Sequence, residues 1–218
     1  MGALQLVIFD CDGVLVDSES ISARVLAELV TREGLPTSAA ESARTYPGLL
    51  RSELVRRVEV NVGHPLPTGW LEGFERARTE AFRNELRPVP GAAEAVKALK
   101  SAGVGVCVAS QAKLEQTRLS LELTGLAELF DHDAVFSGEL VPRGKPFPEL
   151  FLHAAASMGA KPAHAVVVED SPSGVAAAVA AGMRVLGYVA DGEEATLQLA
   201  GAEILRSLGD LRGALGLS

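Results

Sequence analysis

Leu6-Val7-Ile8-Phe9-Asp10-Cys11-Asp12-Gly13-Val14 is the stretch from which this chain is best read. Its apolar run fits a short strand buried on both faces of a parallel sheet, with Asp10 as the last strand residue. Such a strand delivers its final side chains to the carboxyl edge of the sheet, where open α/β folds bind their ligands. Gly13 lets the chain turn away from that edge without steric penalty. Two acids and a glycine in this position suggest a metal and an anion.

The pattern recurs. Val104-Gly105-Val106-Cys107-Val108-Ala109 runs into Ser110-Gln111, and Ala165-Val166-Val167-Val168 runs into Glu169-Asp170-Ser171-Pro172. A further polar signal stands at Gly144-Lys145-Pro146-Phe147-Pro148. Taken singly, each cluster reads equally well as a helix cap or a solvated loop. One parallel sheet would gather all of them along one edge.

Between the first and second of these strand endings the rhythm is helical. After Asp17-Ser18-Glu19 an amphipathic stripe of Ile21, Val25, Leu26, Leu29 and Val30 runs to a stop at Gly34-Leu35-Pro36. Helices follow over about 49–60, after Pro47-Gly48, and about 69–86, with Trp70, Phe74, Ala77 and Phe82 facing one way. From Val89-Pro90-Gly91 the chain alternates. Helices are expected at 92–101, 114–123, 148–158 and 174–181, and strands at 104–109, 134–136, up to Asp170, and 184–189. The predicted fold class is α/β: a doubly wound core of residues 1–17 and 88–218 with an all-helical insert at 18–87. Ser171-Pro172 is expected to start the helix after the acidic pair.

With 218 residues, 48% hydrophobic and 22% charged, the composition is that of an ordinary globular protein. No apolar run approaches the roughly 20 residues of a membrane helix, and no signal-peptide pattern precedes the first strand. A cytoplasmic monomer without membrane contact is expected. Cys11 and Cys107 lie in or beside buried strands and read as small apolar side chains. The formal charge of −8 argues against a nucleic-acid partner. It would also repel an anionic substrate, so the site must make its own positive potential. A divalent cation held by the carboxylates, with Lys145, would do so.

Roles follow from chemistry. Asp10 is the candidate nucleophile, attacking phosphorus to give an aspartyl-phosphate that water then hydrolyses. Asp12 is the candidate acid and base. Mg²⁺ between Asp10 and Asp170 would relieve the repulsion of the clustered carboxylates, with Glu169 ligating directly or orienting a bound water. Ser110 and the backbone N–H of Gln111 would hydrogen-bond phosphate oxygens, and Lys145 would neutralise both Asp10 and the phosphoryl group.

Asp10-Cys11-Asp12-Gly13-Val14-Leu15-Val16-Asp17-Ser18-Glu19, Ser110, Gly144-Lys145-Pro146 and Glu169-Asp170-Ser171 resemble, in order and context, the four motifs of the haloacid dehalogenase-like superfamily, most closely its β-phosphoglucomutase-type phosphatase branch. The resemblance covers essentially the whole chain. It implies a Rossmann-like three-layer core, a helical cap at 18–87, and Mg²⁺ ligation by Asp10, the Asp12 carbonyl and Asp170. It also implies nucleophilic Asp10, acid/base Asp12, and phosphate contacts from Ser110 and Lys145. Asp12 disfavours dehalogenation, and Ser22 stands where the mutases carry a cap histidine. A phosphatase acting on a small phosphorylated metabolite is therefore favoured over a phosphosugar mutase. Gly48-Leu49-Leu50-Arg51 resembles the family's specificity loop. Arg51 is read either as a contact to a second anionic group, as in a phosphorylated sugar acid such as 6-phosphogluconate, or as a solvated arginine at a helix start. The cap is expected to close over the bound ester.

A receiver-like signalling module is the reading from a different class. It too combines an acceptor Asp, Ser, Lys and Mg²⁺, but it lacks the insert and the adjacent Asp10/Asp12 pair. His64, His132, His153 and His164 have no expected catalytic or metal role, and Trp70 and Phe74 are expected to pack within the insert.

Overall fold

The computed structural model describes residues 3–46, 49, 51–189 and 194–217, the side chains of residues 51 and 52 excepted. The chain forms two compact units, one of Met1–Val16 with Pro88–Ser218 and one of Asp17–Arg87.

The first unit is built on six parallel strands: β1 (Leu6–Phe9), β2 (Gly105–Ser110), β3 (Val135–Ser137), β4 (Ala165–Glu169), β5 (Arg184–Tyr188) and β6 (Glu203–Leu205). Their order is β3-β2-β1-β4-β5-β6, so the strand order reverses at β1. Phe9 is level with Val108 on one side and Val168 on the other, which sets three strand ends abreast. This is the switch point at which such sheets hold their ligands.

The second unit carries α1 (Glu19–Arg32), α2 (Ala39–Thr45), α3 (Arg51–Val62) and α4 (Trp70–Glu85). The core unit adds α5 (Ala92–Ser101), α6 (Leu114–Leu123), α7 (Glu149–Ser157), α8 (Pro172–Ala180), α9 (Glu194–Ala200) and α10 (Leu211–Ala214). Leu6 and Ile8 enter one apolar cluster with Leu150 and Phe151 of α7 and Val175 of α8, where Ala154, Ala177 and Ala178 bring helix backbones close to the sheet. Alternation along β1 sends Val7 and Phe9, both fully buried, to the opposite face. The α/β class and parallel sheet are as the sequence predicts.

Several details differ. Asp10 lies one residue beyond β1 rather than within it, and β4 ends at Glu169 rather than Asp170. The helices α2, α9 and α10 and the strand β6 are additional to the predicted elements. Ala77 is exposed, whereas Trp70, Phe74 and Phe82 are buried. Spacing explains this: Phe74, Arg78 and Phe82 succeed one another at four-residue steps. The Arg78 guanidinium continues the stripe over both phenyl rings, 5.4 and 5.7 Å from their centroids.

In the helical unit, Arg24 of α1 donates to Glu85 of α4 at 2.7 and 2.8 Å and to Glu28 at 3.1 Å. Ser38 and Glu41 form a reciprocal capping box at the start of α2. Among the described residues, no helix is long and apolar enough to cross a membrane.

Candidate active site

Where β1 ends, the Asp10 N–H still donates to Val168 O at 2.9 Å, holding its Cα at the sheet edge. The following loop folds back at once: Leu15 and Val16 N–H both bond Cys11 O, and Gly13 N–H bonds Val16 O. Gly13 is required twice over. Its φ is +79°, and a Cβ there would fall on the Asp170 carboxylate.

At the neighbouring strand end, Glu169 is buried and both its oxygens have protein partners. Oε2 accepts from Ser171 N at 2.8 Å and Ser171 Oγ at 2.9 Å, while Oε1 pairs with Lys145 Nζ. Ser171 Oγ in turn accepts from Gly174 N at 3.1 Å, capping α8, whose first residue is Pro172 as expected.

Lys145 Nζ bridges Asp10 Oδ1 and Glu169 Oε1 and lies 5.0 Å from the centroid of Phe151. Its side chain is 4% exposed, and those of its partners are 8% and 1% exposed. Burial raises Asp10 above the ordinary carboxylate value, to about 8; Lys145 opposes that rise, while Glu169 and Asp12 add to it. For Lys145, burial by itself would lower the ammonium, but Asp10 and Glu169 reverse the sign and hold it above the ordinary lysine value. Burial pushes up the thiols of Cys11 and Cys107, which fits packing rather than nucleophilic chemistry.

Oxygens of Asp10, Glu169 and Asp170 all lie within 4.8 Å of one another. One ammonium cannot balance this group, and an all-oxygen donor set suits a hard divalent cation such as Mg²⁺. Asp12 is half-buried beside Asp10, in the loop closed by an Asp12–Val16 bridge. Ser110 ends β2, buried, with Oγ accepting from Ala112 N at 3.0 Å. The Gln111 side chain, which sequence reasoning does not single out, accepts from Lys145 N at 2.8 Å. Gly48 lies outside the described residues, and Arg51 opens α3 with its side chain outside them.

A family model described as haloacid dehalogenase-like hydrolase matches residues 7–188. The chain belongs to this family. This haloacid dehalogenase-like hydrolase is 30% identical over 192 residues to the 6-phosphogluconate phosphatase of Escherichia coli K12, covering 88% of this chain and 85% of that protein. Hexitol phosphatase B of the same organism is 34% identical over 180 residues, covering 81% and 80%. A crystal structure of a hydrolase of this family from Deinococcus radiodurans R1, with bound phosphate and sodium, superposes with a TM-score of 0.85 at 32% identity, covering 99% of this chain and 96% of that one. The chain is thus a phosphatase, and the signalling-module reading falls away.

Proposed function

We propose that this phosphatase hydrolyses a monoester of a small sugar-type metabolite, a phosphorylated sugar or sugar acid such as 6-phosphogluconate, through an aspartyl-phosphate at Asp10. The observation that carries the reading is the ammonium of Lys145 shared between Asp10 and Glu169 at the switch point of the sheet. It sets a carboxylate oxygen beside a fixed positive charge, the environment an attack on an anionic phosphoryl group requires. The substrate class is supported by the phosphatase relatives named above.

Asp10 and Asp170, with the Asp12 carbonyl, would hold Mg²⁺, with Glu169 beside them. The cation would supply charge neutralisation for the phosphoryl oxygens and keep Asp10 anionic. An Asp10 carboxylate oxygen forms the new bond to phosphorus as the ester P–O bond breaks, and Asp12 gives its proton to the departing alkoxide. Water then attacks phosphorus and gives a proton to Asp12, and the Asp10–phosphorus bond breaks to release inorganic phosphate. Ser110 and the Gln111 N–H would bond the phosphate oxygens, and Lys145 would balance the charge throughout. Arg51, and Gly48 through the loop it belongs to, are proposed to select the organic half of the substrate.

The test is phosphate release from a panel of sugar phosphates, sugar-acid phosphates and nucleotides, with Mg²⁺ and with chelator. Metal-dependent multiple turnover that falls by at least about a thousandfold in Asp10→Asn is the expected result. Isomerisation of sugar phosphates without net phosphate release would replace this reading with that of a mutase.

A further inference from the structure

Lys145 sits in a segment, 141–148, that is neither helix nor strand, and Pro146 after it has no N–H with which to anchor the backbone. The lysine's own N–H is held by a side chain from another strand end, donating to Gln111 Oε1 at 2.8 Å. Because an N–H can face only an acceptor, this bond fixes which way the Gln111 amide lies. Gly138 and Gly144 make room for it. A Cβ on Gly144 would fall within the amide, and one on Gly138 would come 2.8 Å from Nε2. Two further links join the same loops: Ser137 Oγ donates to Ala112 O at 2.6 Å, and Leu114 N donates to Glu139 Oε2 at 3.1 Å.

We propose that the Gln111 side chain is a positioning residue for Lys145, fixing the lysine backbone so that Nζ meets Asp10 and Glu169 together. The proposal rests on the reading that Lys145 serves phosphoester hydrolysis. It gives the Gln111 side chain a task separate from that of its backbone N–H, and it does not place the amide on the reacting atoms.

Two substitutions reach the same bond from opposite sides. Gln111→Met keeps the length of the side chain but loses the acceptor, and because Gln111 is exposed it disturbs no core. Gly144 takes no left-handed φ, and the atoms nearest a new Cβ there all belong to the Gln111 amide. Gly144→Ala should therefore fold normally with the amide swung aside.

With Mg²⁺ and the full chain, each single variant is expected to lower kcat roughly ten- to a hundredfold, with KM within about twofold and the same loss for every ester turned over. The double variant Gln111→Ala/Gly144→Ala should be no slower than Gln111→Ala, because the alanine at 144 then displaces nothing. Losses that multiply in the double variant, or a Gln111→Met enzyme with intact kcat and a raised KM for selected esters, would overturn the assignment. Lys145→Met separates the two layers. If it retains wild-type turnover, the hydrolytic reading of Lys145 fails and this proposal with it. If it abolishes turnover while Gln111→Met is silent, the positioning role alone fails.

Discussion

The two units of this chain each contain a cation shared by two carboxylates, and the two triads could hardly differ more in setting. In the sheet unit Lys145 stands between Asp10 and Glu169, with side chains 4%, 8% and 1% exposed. In the helical unit Arg24 stands between Glu28 and Glu85, with side chains 41%, 52% and 49% exposed. With both carboxylates ionised, each carries one surplus negative charge. Water and salt dissipate it around Arg24. Around Lys145 burial keeps water and salt away, and Asp170 adds another carboxylate within 4.8 Å. Burial therefore turns an ordinary ion-pair arrangement into one that favours a further cation.

The comparison can be broken most readily at its buried end. Lys145→Met leaves Asp10 and Glu169 facing one another without compensation. The free energy of unfolding in urea should fall by about 3 kcal/mol, and millimolar Mg²⁺ should recover part of the loss. Wild-type stability in that variant would mean that burial is not what distinguishes the triads. At the exposed end, Arg24→Met should cost less than about 1 kcal/mol, and the difference should shrink as salt is raised toward 0.5 M, roughly halving the Debye length.

The smallest effect belongs to an exposed cation in the helical unit. Both ring nitrogens of His64 face carbonyls, Pro65 O at 3.0 Å and Glu33 O at 3.1 Å, and only the imidazolium has two N–H groups to give. These backbone bonds raise its pKa above the ordinary value of 6.5. A raised folded value contributes stability that is fully present below the unfolded pKa and is lost as pH rises through the folded one. Unfolding midpoints of the wild type and His64→Gln should therefore differ most at pH 5.5 and converge by pH 8.5. A constant difference across that range would show that packing, not charge, explains the residue.

Much of the sheet was legible because β-branched runs end abruptly in polar residues, as at Val168-Glu169 and Phe9-Asp10. The residues so marked, Asp10, Glu169 and Asp170, are neighbours in space, and Lys145, from the separate Gly-Lys-Pro signal, joins them. What periodicity missed has physical causes. In α2 only Ser42 is buried, so no apolar stripe announces the helix, although the Ser-x-x-Glu spacing of Ser38 and Glu41 is a capping-box signal. Ala77 was placed on the buried stripe because it is apolar. The long stem and flat head of Arg78 lie over aromatic rings instead. The bond between Gln111 and Lys145 joins residues 34 apart in the chain and has no local signature; the room that Gly138 and Gly144 leave for the amide is visible only in the fold.

The helical unit leaves and rejoins the sheet unit at a single antiparallel rung. Val16 bridges Pro88, Val89 N donates to Leu15 O, and Asp17 N donates to Arg87 O. The two junctions are thus stitched side by side. Genetically, this makes the excursion a cassette. A different sequence spliced between Val16 and Pro88, by recombination or by hand, should be accepted if its ends meet at one rung's spacing, with β1 and the Asp10 that follows it left in place.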